Sequence, residues 1–223
     1  MREVVRAEEG EVFDIELEES LLEANRRLAE QNRRLLEEHG VLAIDVMGSV
    51  GSGKTSLIGR LVESLKGRYK MAYVAGDLTT TIDADTIAEH GIPVVQINTG
   101  KECHLDANLV AKALKRLDLA ELDLIFIENV GNLICPAEFP LGAQKRLVVV
   151  SVPEGPYVVV KHPYIFMEAD VAVINKVDLA PYMGVDIEKL REDITAINPS
   201  IKVVKASCKT GEGVREVIDA LEL

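Results

Sequence analysis

Seven short apolar runs follow one another along the chain from residue 41 onward. They are rich in valine and isoleucine, and they read VLAIDVM, YKMAYVAG, IPVVQIN, LDLIFIEN, RLVVVSV, ADVAVIN and SIKVVKAS. Continuous apolar runs of this kind are typical of strands that are buried on both faces. Between most of them lie helical patterns such as TSLIGRLVESLKG, ANLVAKALKRLD and IEKLREDITAI. This alternation predicts an α/β fold with a doubly wound, mostly parallel sheet.

The first 40 residues have a different pattern. Short alternating apolar pieces over residues 1–17 predict an arm. The segment ESLLEANRRLAEQNRRLLEEHG then predicts an amphipathic helix that covers part of the sheet and ends at a glycine. Its apolar stripe consists of Leu21, Ala24, Leu28, Leu35 and Leu36. We therefore predict an arm and helix over residues 1–40 and a single α/β domain over residues 41–223.

Composition narrows the classes of partner. The chain has 223 residues, of which 48% are hydrophobic and 28% charged, an ordinary balance for a globular protein. A net charge of −12 argues against nucleic acid as a partner. No apolar run reaches the roughly 18 residues of a membrane span, and the acidic N-terminus does not suit a targeting peptide. Three cysteines, far apart in sequence, argue against a disulfide framework and predict a cytoplasmic protein.

A glycine-rich loop directly follows the first predicted strand. GSVGSGKT matches the phosphate-binding pattern G-x-x-x-x-G-K-[ST] and opens a predicted helix. In such a loop backbone amides converge on an anion, and the helix N-terminus adds a positive dipole end. Lys54 is expected to reach the β- and γ-phosphates of a nucleotide, and the Thr55 hydroxyl to bind Mg²⁺. The predicted phosphate-binding residues are Gly48, Ser49, Val50, Gly51, Ser52, Gly53, Lys54, Thr55 and Ser56.

Two carboxylates are predicted at the same edge of the sheet. The strand LDLIFIE ends at Glu128, and the strand YVAG ends just before Asp77. Because ligands of open α/β sheets bind at the carboxyl ends of the strands, we expect Thr55, Asp77 and Glu128 to form the Mg²⁺ site. With Lys54, the two carboxylates are the candidate catalytic residues. The polar segment after Asp77 is interpreted either as a switch or as a helix-capping loop.

The tetrad NKVD follows the sixth predicted strand and indicates guanine. The Asp178 carboxylate can accept hydrogen bonds from guanine N1–H and the 2-amino group together, donors that adenine does not present. The Lys176 stem is expected to lie over the base, and Asn175 to tie the loop together. The loop after the last strand is similar to the S-A-K loop of GTPases, whose backbone amide contacts guanine, and consists of Ser207, Cys208 and Lys209.

The spacing of these motifs distinguishes two classes of GTPase. Two predicted strands lie between Lys54 and Glu128. In Ras-like GTPases the acid follows sooner, on an antiparallel strand, so the arrangement resembles the SIMIBI class of P-loop NTPases more closely. Many ATPases of that class carry a second lysine early in the loop, where this chain has Ser49. Their mechanism with a lysine supplied in trans is therefore not carried over.

Cys103 and His104 are adjacent, and Cys135 follows shortly after the strand that ends at Glu128. All three lie in predicted loops at the nucleotide edge of the sheet. Thiolate and imidazole are ligands for Zn²⁺ or Ni²⁺ rather than for Mg²⁺. Taken alone, these residues also fit incidental or structural roles. A thiol nucleophile with its base fits less well, because adjacent side chains rarely point at each other.

The strings NTGKECHLDA and FIENVGNLICPAEFPLG, with GSVGSGKT and NKVD, resemble the HypB family of hydrogenase nickel-incorporation GTPases. The resemblance implies that Cys103, His104 and Cys135 form the metal site of the GTPase domain. It also implies slow GTP hydrolysis, a homodimer in the GTP-bound state, a HypA-type nickel metallochaperone and a [NiFe] hydrogenase large-subunit precursor as partners. The cysteine motif or histidine-rich tract that some members carry at the N-terminus does not occur here, so the resemblance implies the domain site alone.

The count of candidate ligands favours a shared metal site. Three ligands, two of them adjacent, are predicted not to complete a tetrahedron within one chain, whereas two copies related by a two-fold axis supply six. Cys208 is assigned to the guanine loop instead. Two alternatives stay open: a urease-type nickel accessory GTPase, and a regulatory GTP switch in which the cysteines are structural.

Overall fold

The computed structural model describes residues 15–100 and 102–223. Within them the seven predicted strands all form, and their bounds are β1 Leu42–Gly48, β2 Met71–Asp77, β3 Val94–Asn98, β4 Leu124–Glu128, β5 Lys145–Ser151, β6 Val171–Asn175 and β7 Lys202–Lys205. They build one sheet of order β3-β2-β4-β1-β5-β6-β7 in which every pairing is parallel. The predicted α/β fold is confirmed, and the described sheet is parallel throughout.

Helices cover both faces of the sheet. Their bounds are α1 Ile15–Glu38, α2 Lys54–Leu65, α3 Ile82–Ala88, α4 Ala107–Leu114, α5 Cys135–Glu138, α6 Val158–Lys161, α7 Tyr164–Met167, α8 Ala180–Met183, α9 Ile187–Ile197 and α10 Val214–Leu221. Alternate residues of β1 divide the core: Ile44 and Val46 face α2, α3 and α10, whereas Ala43 and Met47 face the helices of the opposite side. Burial on both faces explains why the strands are apolar without alternation.

The first described helix begins earlier than the sequence pattern predicted. Because α1 starts at Ile15, the predicted end of the arm at residue 17 was wrong. The rest of the predicted arm, residues 1–14, lies outside the described residues. The division of the chain at residue 40 stays a prediction. None of the described helices is long and apolar enough to cross a membrane.

The face that α1 buries also differs from the predicted stripe. Leu21 and Ala24 are exposed, Leu28 and Leu35 are half-buried, and of the predicted stripe only Leu36 is fully buried. The residues that α1 buries most deeply, spaced by four, three and four positions, are Asn25, Ala29, Asn32 and Leu36. Two of these are polar, so a pattern based on hydrophobicity could not identify the face.

Hydrogen bonds explain why the two asparagines are buried. Asn32 Nδ2 donates to Ala107 O at 2.8 Å and to Leu141 O at 3.0 Å. Asn25 Nδ2 donates to Pro140 O at 2.9 Å, and its Oδ1 accepts from Ala107 N at 2.8 Å. These bonds satisfy backbone groups at the start of α4 and in the loop before β5, which would otherwise be buried without partners. They attach α1 to the domain at two specific points.

Candidate functional site

The phosphate loop joins β1 to α2 and depends on its glycines. Gly48 and Gly53 adopt positive φ angles of 148° and 98°. A Cβ at Gly48 would clash with Val149 O, and a Cβ at Gly53 would clash with the Asn175 amide. Only glycine therefore fits these two positions. The turn delivers the N-terminus of α2, which begins at Lys54, to the carboxyl edge of the sheet.

A cleft of 460 Å³ lies over this loop. Its walls come from the phosphate loop, the ends of β2 and β4 and the guanine motif, and they include Val50, Gly51, Gly53, Lys54, Thr55, Ser56, Asp77, Asp83, Glu128, Gly131 and Lys176. Of the other predicted phosphate-loop residues, Ser52 is buried and Ser49 lines a neighbouring cavity. Gly48 ends β1. The remaining guanine-motif residues are not among those that line the cleft.

Lys54 is buried at the base of the cleft. Its Nζ donates to Gly48 O at 3.2 Å and to Ser49 O at 3.1 Å, and lies 4.0 Å from Glu128 Oε1. Burial lowers the pKa of Lys54, and the Glu128 carboxylate opposes that shift. In this conformation the ammonium group is bound by two carbonyls of the phosphate loop.

Glu128 is held by two hydroxyl groups. Thr55 Oγ1 donates to Glu128 Oε1 at 2.9 Å, and Tyr73 OH donates to Glu128 Oε2 at 2.6 Å. Burial raises the pKa of Glu128, while the Lys54 ammonium and the Tyr73 hydrogen bond oppose that shift. Burial and the Glu128 charge both raise the pKa of Tyr73, so its hydroxyl stays protonated as a donor. The oxygen donors of Thr55 and Glu128 lie side by side and suit a hard cation such as Mg²⁺.

Asp77 ends β2 and lies in the wall of the cleft, as predicted. Its Oδ2 accepts from Thr80 Oγ1 at 2.7 Å and its Oδ1 from Thr79 N at 3.1 Å. Burial opposes ionisation of Asp77, but these hydrogen bonds outweigh it and lower its pKa. Asp77 thus stabilises the turn that follows it. A second carboxylate, Asp83 in the first turn of α3, lines the same cleft.

The guanine motif packs against the phosphate loop. Asn175 Nδ2 donates to Ser52 O at 2.8 Å, and Asn175 Oδ1 accepts from Cys208 N at 3.2 Å. Asn175 therefore ties three loops together, the role that the sequence predicted. Lys176 adopts a left-handed conformation with φ of 61°, and its Nζ donates to Gly51 O at 2.6 Å.

The last loop supports the same motif from the other side. Ser207 Oγ donates to Asp178 Oδ1 at 2.6 Å and holds that carboxylate. Cys208 is buried, its N–H is bound by Asn175, and its carbonyl accepts from Arg60 Nε at 2.9 Å. In this conformation the Cys208 amide is engaged by Asn175. Lys209 follows it at the surface.

Cys103, His104 and Cys135 converge at the surface beside the cleft. Their ligand atoms all lie within 4.8 Å of one another. The two thiols are free, with Cys103 Sγ 2.8 Å from Cys135 Sγ and 3.9 Å from His104 Nδ1. Tetrahedral Zn²⁺ with ordinary bond lengths places its donors about 3.5 to 3.8 Å apart, so the cluster needs only small movements to fit a soft divalent metal.

The surroundings of this cluster favour the neutral form of the imidazole. His104 stacks on Phe139 with the ring centroids 3.9 Å apart. Partial burial lowers the pKa of His104, opposed by nearby carboxylates of which Glu102 contributes most. Burial and the hydrogen bond with Cys103 both raise the pKa of Cys135. Three candidate ligands of one chain converge here, and they leave a tetrahedral site one ligand short.

A buried polar network connects the strands beneath the two sites. Asn129 Oδ1 accepts from Leu105 N at 3.0 Å and from Val130 N at 3.1 Å, and its Nδ2 donates to Asp45 Oδ1 at 3.3 Å. Asp45 is fully buried, and burial raises its pKa to about 6 against the opposing charge of Arg146. The network joins the loop after His104 to the loop after Glu128.

Several functional candidates were missed in the sequence. Tyr73 lies in an apolar strand, where its pattern matched that of a core residue. Asp83 lies within the polar segment after Asp77 and was not distinguished from a helix-capping residue. Asn132 contacts both the phosphate loop and the cysteines, but a lone asparagine in a loop gives no signal. Each was recognisable only once the fold brought distant segments together.

Comparison with known proteins agrees with this geometry. The family model for the CobW/HypB/UreG nucleotide-binding domain matches residues 42–205. A probable hydrogenase maturation factor HypB of Methanocaldococcus jannaschii is 53% identical over 208 residues, which cover 93% of this chain and 94% of that one.

Solved structures give the same result. HypB from Archaeoglobus fulgidus superposes with a TM-score of 0.84 at 48% identity, covering 89% of this chain and 97% of that one. HypB from Helicobacter pylori, crystallised in complex with nickel, superposes with a TM-score of 0.84 at 33% identity, covering 89% of this chain and 94% of that one. A LAO/AO transport system kinase shares the fold at 17% identity, with a TM-score of 0.56 and coverage of 92% of this chain and 74% of that one. The chain therefore belongs to the CobW/HypB/UreG family of P-loop nucleotide-binding proteins and, within it, to the HypB hydrogenase maturation factors.

Proposed function

We propose that this chain is a metal-binding GTPase that hydrolyses GTP to GDP and phosphate to drive or gate nickel insertion into a [NiFe] hydrogenase precursor. One observation carries the proposal: a cluster of two free thiols and an imidazole lies on the loops that leave the nucleotide cleft. The nickel complex of the Helicobacter pylori relative supports nickel as the cargo. The same donor chemistry also suits Zn²⁺.

The nucleotide site has the parts that phosphoryl transfer requires. The amides of the phosphate loop and the N-terminus of α2 bind the phosphates. Lys54 leaves the carbonyls of Gly48 and Ser49 and neutralises the charge of the phosphates. Asp178, held by Ser207, selects guanine, and Lys176 lies along the base. Backbone amides of the loop over residues 207–209 complete the base pocket.

Thr55, Asp77 and Glu128 would hold Mg²⁺ when GTP binds. The cation would supply neutralisation of the phosphate charge. Thr55 and Glu128 already share a hydrogen bond, so replacing it needs little movement of either side chain. Asp77 Oδ2 accepts one hydrogen bond, from Thr80, and keeps a lone pair with which it can act on this site. We propose that the segment after β2 is a switch, because Asp77 holds its first residues.

The incomplete metal site supports a dimer. One chain supplies three donors, and a second copy across a two-fold axis can supply the remaining ligand or an equivalent set. We expect GTP to favour this homodimer, and the dimer to bind nickel more tightly than the GDP-bound form. A HypA-type metallochaperone and the hydrogenase large-subunit precursor are the expected protein partners, in the cytoplasm. A urease precursor is the alternative recipient, and identification of the apoenzyme that co-purifies with the chain distinguishes them.

Exchange of Asp178 for asparagine tests the nucleotide assignment. Asp178→Asn replaces a paired acceptor by an amide, so GTP should bind more weakly while xanthosine triphosphate, which presents an acceptor at C2, should bind better. Nucleotide titration of both proteins by calorimetry measures the change. Equal weakening for both nucleotides would contradict selection of the base by this carboxylate.

Removal of either thiol tests the metal assignment. Cys103→Ala and Cys135→Ala should each reduce nickel binding at least tenfold, because each removes a direct ligand, and should leave monomer GTP affinity nearly unchanged. Cys208→Ala is the matched control, since Cys208 lies in the guanine loop. Equilibrium dialysis with Ni²⁺ gives the stoichiometry. Unchanged nickel binding in both variants would favour the regulatory switch with structural cysteines.

A further inference from the structure

Asn132 lies between the phosphate loop and the cysteine cluster. Its backbone N–H donates to Gly48 O at 3.1 Å, which pairs the two residues in an isolated antiparallel bridge. Gly48 is the first residue of the phosphate-binding motif. The backbone of Asn132 is thus bonded directly to the loop that binds phosphate.

The side chain of Asn132 points the other way, to the cysteines. Its Nδ2 lies 3.4 Å from Cys103 O and 3.3 Å from Cys135 Sγ, and its Oδ1 accepts from Ile134 N at 2.8 Å. One amide group therefore contacts both loops that carry the thiols. It fixes their separation and donates to the Cys135 sulfur.

The bond at Gly48 also shares its acceptor with the lysine of the phosphate site. Gly48 O accepts from both Asn132 N and Lys54 Nζ, and Lys54 is the group expected to move to the phosphates. Gly131, next to Asn132, has Val50 of the phosphate loop in close contact: a Cβ there would lie 2.8 Å from Val50 N. We therefore expect movement of the phosphate loop to displace residues 131 and 132.

We propose that Asn132 is a positioning residue that couples occupancy of the phosphate site to the geometry of the Cys103, His104 and Cys135 site. The inference rests on the proposed function, since it assumes that both sites bind their ligands. Asn132 touches neither nucleotide nor metal. It acts through Gly48 on one side and through Cys103 and Cys135 on the other.

Asn132→Ser provides the test. A serine hydroxyl can still accept from Ile134 N and preserve the local turn, but it is too short to reach Cys103 O and Cys135 Sγ together. Asn98→Ser is the matched control, an exposed position at the end of β3 on the loop that leads to Cys103. The measurement is the dissociation constant of Ni²⁺ with GDP and with a non-hydrolysable GTP analogue, in excess Mg²⁺ and reductant.

The ratio of the two nickel constants measures the coupling, and allosteric ratios are typically about 5 to 150. The wild type and Asn98→Ser should share a ratio in this range. Asn132→Ser should bring the ratio to within about twofold of one, although loss of an outer-shell bond also weakens nickel binding by about tenfold in both states. Nucleotide affinity without metal should be unchanged.

The outcomes separate the two proposals. An Asn132→Ser ratio equal to that of the wild type would overturn the role of Asn132 and leave the metal-binding GTPase intact. A ratio of one in the wild type would overturn both the coupling and the role of Asn132. Absence of nickel binding in the wild type would overturn the proposed function itself, and with it the role of Asn132.

A second measurement needs no variant of Asn132. Because Asn132 Nδ2 donates to Cys135 Sγ, the rate at which a maleimide labels Cys135 in the metal-free wild type should differ by at least threefold between the GDP form and the GTP-analogue form. A Cys103→Ala background isolates the Cys135 signal from that of its neighbour. Equal rates would overturn the inference even if Asn132→Ser fails to fold.

Discussion

At the scale of single residues, the phosphate site depends on how one carboxylate is held. Glu128 accepts from Thr55 on one oxygen and from Tyr73 on the other. When Thr55 turns to the metal, Tyr73 is the hydroxyl that stays on Glu128. We therefore expect Tyr73, a fully buried strand residue, to keep the carboxylate in position for hydrolysis.

Tyr73→Phe tests this expectation. GDP affinity should stay within about threefold, while kcat for GTP hydrolysis falls about 10- to 100-fold, the usual cost of losing an outer-shell partner. Because the Tyr73 hydrogen bond opposes the rise in the pKa of Glu128, its loss should also move the acidic limb of the pH–rate profile to higher pH. Tyr69→Phe, at a half-buried position before β2, is the control. A wild-type kcat and pH profile in Tyr73→Phe would refute the role.

The same scale shows where sequence reasoning succeeds and where it ends. Lys54, Thr55 and Asp178 belong to motifs whose chemistry is set by short spacing, so they could be predicted. Tyr73 and Asn132 act through residues dozens of positions away, and nothing local distinguishes them from a core aromatic or a loop asparagine.

At the scale of elements, the strands were predictable and the first described helix only partly so. Each strand is buried on both faces, and its continuous apolar run is a direct consequence. The buried face of α1 includes Asn25 and Asn32, whose burial is offset by hydrogen bonds to loops that are remote in sequence. A hydrophobic pattern cannot reveal such bonds, and it therefore assigned Leu21 and Ala24 to the buried face.

Asn32→Ala tests this mode of attachment. It leaves Ala107 O and Leu141 O without the Asn32 donor, so the free energy of unfolding should fall by about 2 to 4 kcal/mol. Gln31→Ala, at the adjacent exposed position, should change it by less than about 0.5 kcal/mol. Urea unfolding, with limited proteolysis of α1, measures both. Equal stability of the two variants would contradict the attachment.

At the scale of the whole molecule, one buried carboxyl makes stability depend on pH. The pKa of Asp45 is raised from 3.8 to about 6 in the folded chain. The folded state therefore holds this proton over a range in which the unfolded state has lost it, and stability falls as the pH rises from about 4 to about 6. At 1.36 kcal/mol per pKa unit, Asp45 costs about 3 kcal/mol at neutral pH.

Asp45→Asn should remove this dependence. The free energy of unfolding is measured for both proteins at pH 4 and at pH 7. Relative to the wild type, the variant should be more stable at pH 7 than at pH 4 by about 3 kcal/mol. Any pH-independent penalty of the amide cancels in that change, and Arg146 keeps its ion pair with Glu168. Glu216→Gln, an exposed position on α10, is the control. Parallel stability curves for Asp45→Asn and the wild type would contradict a raised pKa.

The central claim also belongs to the whole molecule: the nucleotide in the cleft controls both dimerisation of the chain and the nickel affinity of the cysteine cluster. Sedimentation of the wild type with equimolar Ni²⁺, in GDP and in a non-hydrolysable GTP analogue, tests it most directly when nickel affinity is titrated in the same samples. We predict a monomer with weaker nickel binding in GDP and a symmetric dimer with tighter nickel binding in the analogue. Equal mass and equal nickel affinity in both states would contradict the account.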